Sequence, residues 1–258
     1  MKTLFVVSDV HSYFNEMKLA LDNAGFDINN KDHIFISCGD LLDRGPDPIK
    51  CLEFVNNLKD NRKKLILGNH EELLIQACFS EYFNFADRHN KTDETVYKVT
   101  GIKPLSQINS IQVDQAALLS MRQNKEWNKY INSCENYYET NEYIFVHGYI
   151  PVLKDEKLIY NSDWRNEFSD WPEARWLNGM SMWKLGIKEP NKTIVCGHWH
   201  SSYGHSRIHR EGNEFEKDEN GIVKSIHTPF YDDGIIAIDA CTTYSGFVNC
   251  IKLEVEDE

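Results

Sequence analysis

Seven side chains met in order along the chain have the types and spacing of a metal-binding constellation: Asp9, His11, Asp40, Asn69, His147, His198 and His200. Asp9 and His11 stand two residues apart, as do His198 and His200, so in an extended segment each pair projects to one side. Two carboxylates, one amide oxygen and four imidazoles form a nitrogen–oxygen donor set without thiolate. Such a set suits manganese, iron or zinc, and neither calcium nor a cysteine-rich structural site. Seven donors are too many for one ion and suit two. A carboxylate can bridge the pair, and Asp40 is the natural bridge. Two ions ~3.5–4 Å apart clamp a phosphoryl group, and a hydroxide held between them can attack phosphorus in line.

The elements that must position these donors are legible next. Five apolar, β-branched runs each stop at one cluster. Residues 3–7 precede Ser8-Asp9-Val10-His11; 33–37 precede Cys38-Gly39-Asp40; 64–67 precede Gly68-Asn69-His70-Glu71. Residues 143–146 precede His147-Gly148, and 192–195 precede Cys196-Gly197-His198-Trp199-His200. Runs of this length bounded by glycine and polar residues read as buried strands. Helical patterns lie between the first three. Phe14, Met17, Leu21 and Ala24 recur at helical spacing with Gly25 as a stop. Residues 46–58 open on prolines and carry Ile49, Leu52, Val55 and Leu58 on one face. Residues 71–78 are short, with Leu73, Leu74 and Ile75. Strands alternating with helices predict a βαβ-built α/β core, in which ligands bind at the carboxyl ends of the strands. All five polar clusters lie at such ends.

Two stretches depart from this pattern. Residues 80–140 and 153–190 are aromatic and helical in character, the second holding Trp164, Trp171, Trp176 and Trp183. Both read as helical insertions packed over the strand ends. In the last third, residues 222–226, 235–239 and 246–254 look like strands with no helix between them, which predicts a second, more antiparallel sheet. Residues 211–220 are charged and flanked by glycine, as in an exposed hairpin tip or loop. The remaining histidines, His33, His89, His205, His209 and His227, end no such run and read as ordinary polar residues.

Composition bounds the function. The chain has 258 residues, 41% hydrophobic and 26% charged, and no repeat or linker divides it. It is long enough for one large domain and too apolar for a disordered one. No apolar run approaches the ~20 residues of a membrane span. The short run at the N-terminus is followed by no small-residue cleavage site, so no leader peptide is expected. A formal charge of −12, from 28 basic and 40 acidic residues, argues against duplex nucleic acid and anionic membranes as partners. The seven cysteines are odd in number and form no CxxC pair, as expected of reduced thiols in a cytoplasmic protein.

The ordered set Asp9-Val10-His11, Gly39-Asp40-Leu41-Leu42-Asp43-Arg44-Gly45, Gly68-Asn69-His70-Glu71, His147-Gly148 and Gly197-His198-Trp199-His200 resembles the calcineurin-like metallophosphoesterase superfamily. The GDxxDRG and GNHE forms, and the ending Ile236-Ala237-Ile238-Asp239-Ala240-Cys241, resemble its phosphoprotein phosphatase branch. That branch includes bacterial and phage Ser/Thr phosphatases and symmetrical diadenosine tetraphosphatases. The resemblance covers residues 1–79, 141–151 and 191–254. It implies a single α/β domain over 1–258, a four-layer αββα sandwich of two mixed β-sheets with outer helices, and a helical cap made by the two insertions. It further implies two divalent ions, manganese first, with iron or zinc as alternatives. The first would take Asp9, His11, Asp40 and His200; the second would take Asp40, Asn69, His147 and His198. His70 would protonate the leaving oxygen, Asp43 would orient His70, and Arg44 would bind the phosphoryl oxygens. The branch supplies a second phosphate-binding arginine between its last two motifs, where Arg165 and Arg175 both qualify.

The GHWH form departs from the branch, which usually lacks the second histidine. The leading expectation is a phosphate monoesterase using a metal-bound hydroxide, of the Ser/Thr protein phosphatase type. The alternative is a nucleotide hydrolase splitting diadenosine tetraphosphate symmetrically. The partner is then a phosphorylated protein, or a small phosphate ester or nucleotide; the sequence leaves the oligomeric state open. An inactive binding module ranks last, because no ligand is missing. The charge and the DRG motif disfavour a nuclease. Because no covalent intermediate is needed, Cys38 and Cys196 are not expected to be nucleophiles.

Overall fold

The computed structural model describes residues 1–103, 110–166 and 168–256. Residues 104–109 of the first insertion and residue 167 of the second lie outside the described residues. Twelve strands are present among those described: β1 Lys2–Val7, β2 His33–Ser37, β3 Lys63–Ile66, β4 Cys134–Glu135, β5 Tyr138–Glu139, β6 Tyr143–Phe145, β7 Val152–Lys154, β8 Leu158–Tyr160, β9 Thr193–Cys196, β10 Phe230–Asp232, β11 Ile235–Ala237 and β12 Cys250–Val255. The first sheet has the order β12-β1-β2-β3-β4 and the second β10-β11-β9-β6-β5, with β7 and β8 forming a separate ribbon.

Strand alternation builds the layers. Leu4 and Val6 of β1, Ile36 of β2 and Ile66 of β3 point inward, where they meet Phe145, Val195 and Ile236 of the second sheet. Phe5, Val7, Phe35 and Leu65 point the other way, into a core shared with helices. In the second sheet Ile144, Ile194, Ile235 and Ala237 likewise turn outward, toward Trp164, Trp171 and Met180. Every central strand is thus buried on both faces, which is why the runs read as continuous rather than alternating. The result is the expected four-layer αββα sandwich of two mixed sheets.

Helices α1 Phe14–Ala24, α2 Pro48–Asn57 and α3 Asn69–Cys78 cover the first sheet. Gly25 ends α1 in the left-handed region at φ 86°, as its position predicts. The first insertion supplies α4 Phe85–His89, α5 Thr92–Thr100, α6 Ser110–Arg122 and α7 Lys125–Ile131. Its Val96, Leu118, Met121 and Trp127 belong to the same core as Leu52 and Leu74. In the second insertion Trp164 and Trp171 are core residues, packed around the ring of Tyr137.

Three expectations for the last third need correction. Residues 222–226 form no strand; a single bridge joins Lys217 to Val223. The strand expected at 246–254 is β12, and it pairs antiparallel with β1 in the first sheet, from Lys2 opposite Val255 to Val7 opposite Cys250. The second sheet is evenly mixed rather than mainly antiparallel. β6, β9 and β11 run parallel, and β5 and β10 flank them antiparallel. Sequence periodicity reports which residues are buried in a strand, whereas the choice of neighbour depends on partners far along the chain.

The parallel strands of both sheets end at one edge of the sandwich, and the loops there are tightly packed. Gly39 has φ +88°, and a Cβ on it would lie 2.7 Å from Gly68 Cα and 2.7 Å from His147 Nδ1. Gly39→Ala is therefore expected to cost about 2 kcal/mol or more, summing strain and overpacking. Gly25→Ala, equally left-handed but with nothing within 4 Å, should cost only about 1 kcal/mol. Urea unfolding of the two variants, read side by side, checks the difference.

Candidate metal centre

Six strand ends converge at this edge. β1 delivers Asp9 and His11, β2 delivers Asp40, and β3 leads into Asn69 and His70 at the start of α3. β6 delivers His147, β9 delivers His198 and β11 delivers Asp239. Asp9, His11, Asp40 and His198 all have positive φ, between 50° and 63°. Asp43 and Arg44 do too, at 69° and 63°. Left-handed backbone costs a non-glycine residue about 1 kcal/mol or more, so the strain collects at the residues with chemistry to perform.

Backbone bonds hold the strained loops. The amides of Asp9 and His11 donate to the carbonyls of Gly39 and Asp40, at 3.1 and 2.9 Å. Glu71 anchors the next loop, since its carboxylate accepts from the amides of Asp40 (2.8 Å), Leu41 (3.0 Å) and Gly68 (3.0 Å). The two sheets are tied together by side chains of the site itself. Asp9 Oδ2 accepts from the amide of His198 at 2.9 Å. His147 Nδ1–H donates to the carbonyl of Cys38 at 2.7 Å.

Two groups of possible ligands share Asp40. His11, Asp40 and His70 form one, Asp40, His147 and His198 the other; within each, the ligand atoms lie within 4.8 Å of one another. The hydrogen bonds set the tautomers. With its Nδ1–H engaged, His147 presents its bare Nε2 to Asn69 Oδ1 at 2.7 Å. Two lone-pair donors face each other there, an arrangement that a cation between them relieves. His11 Nδ1–H likewise donates to the carbonyl of Leu42 at 3.1 Å, which turns Nε2 toward Asp40. Burial holds the pKa of His11 and His147 below the ordinary value and that of His198 at about 4, so all three are neutral and ready to ligate.

The carboxylates show the converse. Burial and the charges of Asp239 and Asp40 push the pKa of Asp9 well up, and burial with Asp40 nearby lifts Asp239 to about 7. Burial acts on Asp40 in the same sense, but the charge that His147, His70, His11 and His198 carry when protonated outweighs it and lowers the pKa of Asp40. Three buried acids, neutral imidazoles and an amide oxygen form a donor set that fits divalent cations.

Beside this cluster stands a second set of contacts. His70 Nδ1–H donates to Asp43 Oδ2 at 2.9 Å, and Thr92 of α5 donates to the same oxygen at 2.7 Å. Burial favours neutral His70, but Asp40 and Asp43 outweigh burial and raise its pKa. Arg44 spans two rings, with Nη1 donating to His11 Nε2 and Nη2 to His70 Nε2, each at 3.0 Å.

Three expected site residues lie elsewhere. His200 turns to Ser202 Oγ (2.8 Å) and Glu214 Oε1 (3.3 Å). Arg165 is held by Glu139 and Glu189 and lies over the ring of Trp164 at 4.2 Å. Arg175 is buried between Glu72 and Asn136. In its stead the adjacent Trp176, half exposed, forms a wall of the cleft, its ring 5.7 Å from that of His198. Asp239, Cys241 and Asn90 also line this cleft of about 150 Å³. Asp239 could have been found in the sequence, because the run 235–238 ends on an acid as the run 3–7 does.

Comparison with known proteins places this geometry. The calcineurin-like phosphoesterase family matches residues 2–224. The chain belongs to this family. Among its relatives is a protein named bis(5'-nucleosyl)-tetraphosphatase, symmetrical, from Buchnera aphidicola subsp. Acyrthosiphon pisum (strain 5A), 40% identical over 75 residues, which is 29% of this chain and 26% of that protein. One of the same name from Psychromonas ingrahamii is 43% identical over 71 residues, or 28% and 25% of the two chains. This phosphoesterase thus matches about a quarter of the length of these relatives. Among solved structures, a cold-active protein-tyrosine phosphatase of a psychrophilic Shewanella aligns with 98% of this chain and 76% of its own, at TM-score 0.51 and 12% identity. A protein serine/threonine phosphatase from Saccharomyces cerevisiae aligns with 100% and 81%, at TM-score 0.50 and 12% identity. At such identities the likeness is one of fold.

The raised pKa of Asp239 makes a prediction for the chelator-treated protein. A carboxyl pushed up to about 7 in the folded state, and at about 4 in the unfolded chain, costs stability progressively as pH rises from about 4 to about 7, and the full cost stands above that. Asp239→Asn keeps the oxygen that accepts from the Cys241 amide. The advantage of the variant over wild type should be larger at pH 8 than at pH 5.5 by about 1 kcal/mol or more, because the folded carboxyl ionises between the two. Urea denaturation at the two pH values checks it.

Proposed function

We propose that this phosphoesterase hydrolyses phosphate monoesters at a two-metal centre, as a protein phosphatase of the Ser/Thr type. The observation that carries the reading is the His70–Asp43 pair, which faces the cleft beside Asp40 and Arg44. One ion would be held by Asp9, His11 and Asp40, the other by Asp40, Asn69, His147 and His198. Manganese is the first choice, with iron or zinc as alternatives. When bound, the ions would polarise the phosphoryl oxygens and activate the attacking water. His200 would join the first set only by leaving Glu214.

The protein groups do the rest. Asp43 fixes the ring of His70 and stabilises its protonated form, so His70 can give the Nε2 proton to the departing oxygen. In the structure Arg44 donates to that same nitrogen, so the arginine must leave it before His70 can act as an acid. An incoming phosphoryl group provides the reason to move. Its oxygens accept both guanidinium N–H groups in a bidentate contact. Substrate entry would thereby free His70 Nε2 to carry its proton. The two insertions would form the cap that selects the substrate, through Asn90 and Trp176.

A second reading, symmetrical hydrolysis of dinucleoside tetraphosphates, is favoured by one feature. Trp176 presents a half-exposed ring at the cleft, on which a base could stack, and the curated relatives carry that activity in their names. A panel of phosphopeptide, aryl phosphate and diadenosine tetraphosphate, assayed with added manganese, decides between them. Faster turnover of the tetraphosphate, lost in Trp176→Ala, would replace the first reading with the second.

His70→Asn should slow monoesters with poor leaving groups at least about 100-fold and activated aryl phosphates far less, because a good leaving group needs little protonation. Equal losses on both would reassign His70 to phosphate binding.

A further inference from the structure

A second cluster of ligating side chains lies outside the cleft, on the segment that follows the GHWH motif. Residues Gly204–His209 form one π-helical turn. A Cβ on Gly204 would lie 2.5 Å from Phe230 Cδ2 and 2.6 Å from Met180 Sδ, so its lack of a side chain lets the turn rest on β10. That contact brings His209 Nε2 to 3.0 Å from Asp232 Oδ2, on the same strand. Arg210 then adopts a left-handed φ of 63°, and the amide of Glu211 donates back to the carbonyl of His205 at 2.8 Å. The reversal folds Glu211 over the turn. Its Oε2 lies 3.3 Å from His205 Nδ1.

His205, His209 and Glu211 thus offer ligand atoms within 4.8 Å of one another. The outer contacts suit a bound cation. His205 Nε2–H donates to the carbonyl of Thr228 at 3.1 Å, which leaves Nδ1 as the free nitrogen, aimed at Glu211. A backbone carbonyl behind a ligating imidazole is the usual support of such a ligand. Neighbouring cations are directed elsewhere. Arg207 Nε donates to Glu214 at 2.9 Å, and Lys188 pairs with Asp233. Glu211 is half exposed and His209 a third exposed, so the side chains have room to close on an ion and water has access.

We propose that His205, His209 and Glu211, with Asp232 beside them, form an auxiliary zinc(II) site separate from the catalytic centre. Two imidazoles and one carboxylate, with a second carboxylate or a water as the fourth donor, match zinc in number and chemistry. The ion would clamp the π-helical turn to the loop that follows it and to β10. Its role would be structural, since none of its ligands lines the cleft.

The test uses the tag-free full chain, stripped by chelator and dialysed against zinc chloride, with bound zinc measured by elemental analysis. His205→Gln/His209→Gln should bind one zinc equivalent less than wild type, whereas the control His33→Gln/His89→Gln should match wild type. Equal zinc in the double variant and wild type, or an equal loss in the control, overturns the site. The readout is a difference between proteins, so it stands whatever the catalytic centre binds. Glu211→Gln leaves both rings and the Thr228 contact in place and covers the case of a double variant that does not fold. It should weaken the zinc-dependent rise in thermal midpoint, with at least about tenfold more zinc needed to reach it. An unchanged zinc requirement in Glu211→Gln likewise overturns the site.

Discussion

The repulsion among three buried carboxylates governs this structure. Asp9, Asp40 and Asp239 come from three strands in two sheets and meet at one edge of the sandwich, out of water. Like charges so placed do not persist without compensation. His70, whose amide donates to Asp40 and whose ring has a raised pKa, supplies part of it around Asp40, and divalent cations would supply the rest. The surrounding architecture keeps the acids together against this cost. Left-handed backbone sets Asp9, His11, Asp40 and His198 in place, Glu71 gathers three amides to fix the Asp40 loop, and cross-sheet bonds from His198 and His147 join the layers.

The same edge sorts residues by what they hold. Asp43 receives His70 and Thr92, so the His70–Asp43 pair is braced by the first insertion as well as by the core. Arg44 rests on the imidazoles it would leave for a phosphoryl group. The second insertion contributes a tryptophan wall in place of an arginine. Its arginines are engaged elsewhere, Arg165 by Glu139 and Glu189 and Arg175 by Glu72 and Asn136.

Much of this was legible in the sequence because apolar runs that end in ligating residues carry two signals at once. The runs ending at Asp9, Asp40, Asn69, His147 and His198 located the strands and the site together. What escaped depends on distant partners. His200 has the right spacing for a ligand, but Glu214 draws it away from within a segment that reads only as a charged loop. Arg165 looks available until Glu139 and Glu189 arrive from elsewhere in the chain. Glu71 sits inside a recognisable motif, yet its service to three amides follows from where the Asp40 loop lies. β12 was expected as a strand, but nothing local could say that its neighbour is the first strand rather than the last ones.

That pairing of β12 with β1 bears on how the protein is made. On a ribosome β1 is made before its partner β12, which follows it about 250 residues later. Until then the outer edge of β1, with its run Leu4-Phe5-Val6-Val7, offers unpaired amides and carbonyls to any other chain nearby. The nascent chain therefore carries this adhesive edge uncovered until β12 has been made, and its need for chaperones should be concentrated there.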